Sequence, residues 1–531
     1  MAKVDAMEAS VDKAMNSWKG DAAAAASERA MAHKLHSNHL ATTIVGIADH
    51  YNSYGVTLGD TRTALLRILD VEMTGSGMTV DDDGTVHAPT VPSGADGSNS
   101  ATTALTQQML DGQASGYESR IKALLTQFGD GETAAATAIS TDLQTLSGYE
   151  SKPDGEPVRS EVQSILDGKS SLPTDPKKLH EFWETLTPAE KDALYAKDQY
   201  IGNRDGLPSV DRDHYNREKL DDELTRAQNG DPAVKDKLAD LQAIQKTLKD
   251  NPDAMLMLMD TQTGKMAHAA ISTGNPDTAA NVSVSSPGLN GNVHDSLGSM
   301  VTEGYNVKTL AENRLDKLDP TDPKKGQKVV QIAWIGSDLP QGEITDPGSW
   351  GGLSHVAGDG LAKEGAPKLA SFYDGVRASH DDSTVHLTAI GHSYGSVMTG
   401  LALQESGHQG VDDLVVFGSP GLDLPYKHSY WPASGDAQVS RLEVPDGHRY
   451  EMTGGDDLVA KTPRYGPNPQ ALPGFTHLET AAHTTLDGVN RDGASQHADY
   501  PRTGGNGQLR TSGWNTAMVV AGLPDQVVKK P

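Results

Sequence analysis

One serine in this chain sits where its hydroxyl could be made nucleophilic. The β-branched and apolar run Thr384-Val-His-Leu-Thr-Ala-Ile390 leads into Gly391-His392-Ser393-Tyr394-Gly395, and helix-forming residues Val397 to Gln404 follow. A G-x-S-x-G pentapeptide between a strand and a helix is the pattern of a nucleophile elbow. The turn holds the serine in a strained backbone conformation, so its neighbours must lack bulk where strand and helix nearly touch. Gly391, Gly395 and Ser396 meet that need. With 55 glycines the pentapeptide arises easily by chance, but it occurs once and in the required context. The helix N-terminus beneath it would favour developing negative charge.

A serine needs a base, and the base needs an orienting carboxylate; where the serine sits on a strand-to-helix elbow of this kind the chain order is Ser, Asp/Glu, His. Met452-Thr-Gly-Gly-Asp456-Asp457-Leu-Val-Ala460 follows a late strand-like segment, and its two glycines can form the turn. Asp457 is the favoured acid because Leu458-Val459 follows it; Asp456 is the alternative and Asp423, after Gly418-Ser-Pro-Gly421, a distant third. Of His477, His483 and His497, the last lies in a glycine-led loop, Gly493-Ala-Ser-Gln-His497, ahead of a helix-like segment, and is the favoured base. His392 neighbours the serine in sequence, so its side chain should point elsewhere and serve packing or hydrogen bonding. A tetrahedral oxyanion needs two backbone donors. The N–H of Tyr394 is one, and that of Leu289, in Ser286-Pro-Gly-Leu-Asn-Gly291, is the other. Trp334-Ile-Gly-Ser-Asp338 is expected to line the pocket.

The elements that must hold these groups begin at Asp253, where a helical period gives way to strands. Candidates are Met255–Met259, Met266–Ile271, Val282–Ser286, Val329–Ile335, Val385–Ile390, Leu414–Phe417 and Arg449–Met452, with helices such as Gly365–Arg377 and Val397–Gln404 between them. Strands alternating with helices imply an α/β class with a mostly parallel, doubly wound sheet, whose ligands bind at the strands' C-terminal ends. An all-α region precedes it. The expected divisions are a helical hairpin over 1–76, a linker with a short β-hairpin over 77–103, a helical segment over 104–146, a linker over 147–176, a helical lead-in over 177–250 and a catalytic domain over 251–531.

In the first division Val4, Met7, Val11, Met15 and Trp18 share a helical face, and Met31, Leu35, Ile44, Ile47 and Tyr51 continue the pattern on the next helix. His33, His36 and His39 lie at i, i+3 spacing, but no carboxylate completes a metal site, so they read as a solvated face. Thr187-Pro-Ala-Glu190 has the form of a capped helix start. The charges from Asp211 to Arg217 are spaced for local ion pairs.

Length and composition limit the rest. At 531 residues the chain is too long for one core. A net charge of −27, from 72 acidic and 45 basic residues, disfavours nucleic acid and anionic membrane surfaces as partners. Having no cysteine excludes disulfides, thiolate metal sites and thiol catalysis. No apolar run approaches a membrane span, so a soluble protein without integral membrane association is expected. The N-terminus lacks a signal-peptide core, and export would need a route without a cleaved signal. No metal or organic cofactor is indicated.

Two resemblances add to this. The Trp18-Lys19-Gly20 turn is similar to the WxG-type hairpins linked to type VII secretion, although the Tyr-x-x-x-Asp/Glu signal is absent after it. Ile201-Gly-Asn-Arg-Asp-Gly-Leu-Pro208 with Asp213 and Asn216-Arg217, Ala333-Trp-Ile-Gly336, Gly391-His-Ser-Tyr-Gly395, Gly418-Ser-Pro-Gly421 and His497-Ala-Asp-Tyr500 together resemble an actinobacterial α/β-hydrolase family of unassigned role, over roughly 180–525. That resemblance implies an α/β-hydrolase fold and a triad of Ser393, Asp457 and His497. The expected function is a serine hydrolase acting on a small-molecule or lipid-like carboxylic ester through an acyl-enzyme. Acyl transfer would use the same groups. The alternative is a helical assembly or type VII secretion-associated protein, self-associating through its helices, with an acyltransferase or inactive hydrolase domain. An imidazole base must be neutral, so activity should fall with pH through the ordinary imidazole pKa of about 6.5.

Overall fold

The computed structural model describes residues 21–92, 101–150, 158–342, 358–380, 385–408, 410–427 and 437–531. The chain divides into two compact units, residues 1–159 and 160–531.

In the first unit, helix α1 (Asp21–Arg67) passes through a π-helical turn into a hairpin of β1 (Thr79–Val80) and β2 (Val86–His87), and helix α2 (Ala101–Glu150) follows. The helices run antiparallel. His50 lies 3.6 Å from Asp142, and at the other end Arg120 pairs with Glu72 at 2.6 Å. Ile68, Met73, Val86, Ala114 and Ile121 form a small core by the hairpin. The described mate of α1 is therefore α2. The expected Trp18-Lys19-Gly20 turn and the side chains of His33, His36 and His39 lie outside the described residues. Ile44 and Tyr51, which the helical spacing assigns to an apolar face, are 53% and 73% exposed.

The second unit opens with α3 (Ser160–Leu166), which lies inside the stretch expected as a linker. Val162 and Ile165, one turn apart, are buried there and give that short helix its anchoring face. After α4 (Pro176–Trp183) comes α5 (Pro188–Lys197), where Thr187 accepts from the Glu190 N–H and the Glu190 carboxylate accepts from the Thr187 N–H. That reciprocal cap is the one the sequence predicts. Helix α6 (Ser209–Gln228) carries the charge cluster. Arg212, almost fully buried, pairs with Asp205 at 3.2 Å and donates to the carbonyls of Gly202 and Asn203. Asp213 pairs with Arg217 and accepts from the Leu256 N–H, while Asp211 pairs with Lys191. These charges tie α6 to its neighbours.

Helix α7 (Leu238–Asp250) leads to the sheet: β3 (Met255–Asp260), β4 (His268–Ser272), β5 (Asn281–Ser286), helix α8 (Gly298–Leu315), β6 (Val329–Ile335), helix α9 (Gly360–Ser379), β7 (His386–His392), helix α10 (Tyr394–Ala402), β8 (Asp413–Phe417), β9 (Arg449–Met452), β10 (Thr476–His477) and helix α11 (Thr511–Val520). The eight strands lie in the order β10-β9-β8-β7-β5-β6-β4-β3. All neighbours are parallel except β6–β4 and β4–β3. The central strands are buried on both faces, as a covered parallel sheet requires. Every residue of α11 is buried too.

This register sets up the site. Ser286, ending β5, is paired with Gly391 of β7, so the loop after β5 emerges beside the turn after β7. Phe417 and Met452 end β8 and β9 side by side, which brings their following loops to the same edge.

Candidate active site

Ser393 occupies the turn between β7 and α10 with φ 54° and ψ −125°, a conformation that costs an L-residue on the order of 1–3 kcal/mol. The surroundings enforce it. A Cβ on Gly391 would lie 2.6 Å from Ser396 Cα, and one on Gly395 would lie 2.3 Å from the Ser286 carbonyl oxygen. Ser396 Oγ hydrogen-bonds the Ser393 carbonyl at 2.6 Å and Ser419 Oγ at 2.7 Å, which fastens the turn to the loop after β8.

From this turn a hydrogen-bond chain runs outward. Ser393 Oγ lies 2.8 Å from His497 Nε2, and His497 Nδ1 lies 3.0 Å from both carboxylate oxygens of Asp457. With Nδ1 protonated and donating to the carboxylate, Nε2 is left to accept the serine proton. Asp457 is fully buried. Burial opposes its ionisation, but hydrogen bonds from His497, Tyr500 and the Ala460 N–H outweigh this and hold its carboxyl below the usual range. Tyr500 is itself buried. Its hydroxyl donates to Asp457 at 2.5 Å and accepts from the Gly454 N–H at 2.8 Å, and desolvation followed by the adjacent carboxylate keeps the phenol protonated.

Gly418, at φ 61°, passes beneath this chain, where a Cβ would come 3.1 Å from the His497 ring. Asp499 accepts from the N–H groups of Ser495 and Gln496 and so shapes the loop that carries His497.

Asp456, the alternative acid, is bonded to Ser495 Oγ instead. Asp423 lies 3.8 Å from Lys363. His477 pairs with Glu451, and His483 sits exposed in a small hairpin. The Trp334–Asp338 segment does not line the serine's cavity. Strand β6 pairs with the antiparallel β4, and Asp338 is drawn that way by the N–H groups of Lys265 and Met266 and by His268.

His392 serves packing and hydrogen bonding, as its position suggested. Its ring stacks on Phe417 and lies 5.0 Å from the His497 ring, and its Nε2–H donates to the His497 carbonyl at 3.0 Å. Desolvation first, and then His497, push its pKa down to about 3, so it is a neutral support for that loop.

The cavity over Ser393 has a volume of about 460 Å³ and is lined in part by Gly288, Leu289, Tyr394 and His497. Neither the Tyr394 nor the Leu289 N–H is paired with an acceptor among the described residues. Asn290, at φ 63°, exchanges side-chain hydrogen bonds with the Gly342 backbone in both directions and fixes the loop bearing Leu289. The Tyr394 hydroxyl points away and bonds Gly358 and Ala362 at the start of α9. A Cβ on Gly288 would fall 2.6 Å from Ser393 Cβ. Gly288→Ala should therefore displace loop or serine and lower kcat/KM on a short ester by on the order of 10²-fold.

Glu303 of α8 also lines the cavity and has no hydrogen-bond or ion-pair partner among the described residues. Desolvation raises its pKa to about 7, against a weaker opposing pull from Arg502. A carboxyl raised above its unfolded value of 4.5 contributes stability below that pH and loses it as pH rises to about 7. Thermal melts should then show Glu303→Gln raising Tm relative to wild type at pH 8 and not at pH 4. A uniform shift at both would contradict this assignment. No group of His, Asp and Glu among the described residues could hold a metal ion, and no described helix is long and apolar enough to cross a membrane.

Comparison with known proteins agrees with this architecture. A family model described as alpha/beta hydrolase matches residues 262–467. An uncharacterized protein of Mycobacterium tuberculosis is 37% identical over 272 residues, covering 49% of this chain and 92% of its own length, and one of Mycobacterium bovis matches to the same extent. A second uncharacterized Mycobacterium tuberculosis protein is 27% identical over 285 residues, covering 48% of this chain and 40% of its own. No solved structure gives a significant match.

Proposed function

Because the chain belongs to the α/β-hydrolase family, we propose that it is a serine hydrolase acting on carboxylic esters through an acyl-enzyme. The observation that carries this reading is the continuous hydrogen-bond chain Ser393–His497–Asp457 at the floor of an open cavity.

In the proposed cycle the Ser393 hydroxyl gives its proton to His497 Nε2 as Oγ attacks the substrate carbonyl. Asp457 accepts the Nδ1–H and stabilises the imidazolium that forms. The N–H groups of Tyr394 and Leu289 receive the oxyanion. Collapse expels the alcohol, which takes its proton from His497. Water then attacks the acyl-Ser393, delivering a proton to the same nitrogen, and the acid leaves as Ser393 is reprotonated. An alcohol replacing water in the second half would make the reaction acyl transfer. The buried Tyr500 phenol and His392 position the acid and the base.

A fluorophosphonate probe tests the reading. Wild type should be labelled, Ser393→Ala not at all and His497→Ala much more slowly. Well-folded wild type that resists the probe would overturn it.

A further inference from the structure

We propose that Glu303, with Ser296 and Ser299, forms a polar subsite for a substrate hydroxyl, so that the favoured ester is that of a polyol rather than a plain alkanol. This rests on the serine-hydrolase reading and adds a substrate class to it. The three residues follow one another at intervals of three and four around the start of α8, so they share one helical face, and all three line the cavity over Ser393.

The rest of the lining near the serine is largely apolar: Leu289, Met300, Pro420, Val459 and Tyr465. An unpartnered carboxyl is out of place against such a surface, because desolvation without a hydrogen bond is costly. No described residue hydrogen-bonds it, and the pull of Arg502 only weakly opposes its desolvation. Arg502, its charged neighbour, is exposed and forms no ion pair with it. Its vacant hydrogen-bonding capacity faces the space a substrate would fill.

The chemistry of the three groups selects the ligand. Near neutrality the Glu303 carboxyl exchanges between acceptor and donor forms. Among the described residues Ser296 Oγ accepts a long, 3.4 Å contact from the Asn292 N–H, leaving its own proton to give. Ser299 Oγ donates to the Ser296 carbonyl at 2.9 Å and keeps its lone pairs free to accept. Mixed donors and acceptors on one wall match hydroxyls, which are both. A cation would want the carboxylate alone and would meet Arg502 nearby. A cavity of about 460 Å³ accommodates a small polyol ester with its acyl chain along the apolar wall.

The test uses the full-length protein and three butyrates followed by acid release: glycerol 1-butyrate, propyl butyrate and 2-(dimethylamino)ethyl butyrate, which is cationic at neutral pH. Wild type should favour the glycerol ester over the propyl ester by roughly tenfold in kcat/KM, the worth of about one good hydrogen bond. Glu303→Gln, which can still donate and accept, should keep most of that ratio. Glu303→Leu should bring it close to one, and Ser296→Ala should reduce it severalfold. Fluorophosphonate labelling and Tm of each variant establish that site and fold persist. A wild-type ratio near one, or a ratio unchanged in Glu303→Leu with labelling intact, overturns the subsite and leaves the hydrolase reading standing. Preference for the cationic ester, lost in Glu303→Gln, overturns the hydroxyl assignment. Absence of labelling in wild type overturns the hydrolase reading, and this one with it.

Discussion

Ser393→Ala is expected to lower kcat for a short-chain ester by about 10⁶-fold, the loss seen when a serine hydrolase is deprived of its nucleophile. The fold should survive the change. Alanine keeps the Cβ that packs beside Gly288 and adopts the same φ of 54° with no more strain than serine. Among the described residues the hydroxyl's hydrogen bond is to His497 Nε2, on a residue already held through Nδ1 by Asp457 and through its carbonyl by His392. Tm should therefore move by only a few degrees. The measurement is kcat and Tm on the same preparation, alongside wild type. A variant that folds normally and keeps more than a hundredth of the wild-type rate would remove Ser393 from the mechanism. Loss of activity together with loss of the folded state would indicate a structural turn instead.

Much of this arrangement was legible in the sequence because the constraints on an elbow are local. Strand, glycine-flanked turn and helix are written in adjacent residues, and the change of period after Asp253 marks the strands that form the sheet. The cap at Thr187 is equally local. What escaped was set by register. Trp334-Ile-Gly-Ser-Asp338 ends a strand as an active-site segment would, yet β6 lies beyond β5, and Asp338 turns towards the β3–β4 hairpin. Nothing in the sequence reveals that an antiparallel pair occupies that side. For His392 packing or hydrogen bonding was legible but its partner was not, because β7 and the far later loop at His497 meet only in space. No motif or spacing marks Glu303; the fold brings it into the same cavity as the loop after β5. Likewise, helical spacing predicts an apolar face on α1 but not that α2 would leave Ile44 and Tyr51 exposed.

Asp457→Asn should lower kcat on the order of 10⁴-fold with little change in KM, whereas Asp456→Asn should change either by no more than a few-fold. The two residues are adjacent and chemically identical, so the contrast isolates geometry. Asp457 presents both oxygens to His497 Nδ1 at 3.0 Å from full burial, while Asp456 bonds Ser495. An amide at 457 can turn its NH₂ towards Nδ1, which then accepts and leaves the proton on Nε2, where it blocks removal of the serine proton. It also withdraws the negative charge that stabilises the imidazolium. Substrate binding does not use the carboxylate, so the loss should fall on kcat. Tyr500→Phe offers a graded comparison. It removes one of the donors that keep Asp457 ionised but leaves the His497 contact, so its loss should be much smaller than that of Asp457→Asn, on the order of tenfold. Equal losses in the two aspartate variants would mean that the loop's shape, not its buried carboxylate, controls the rate. A larger loss in Asp456→Asn would transfer the acid's role to that residue.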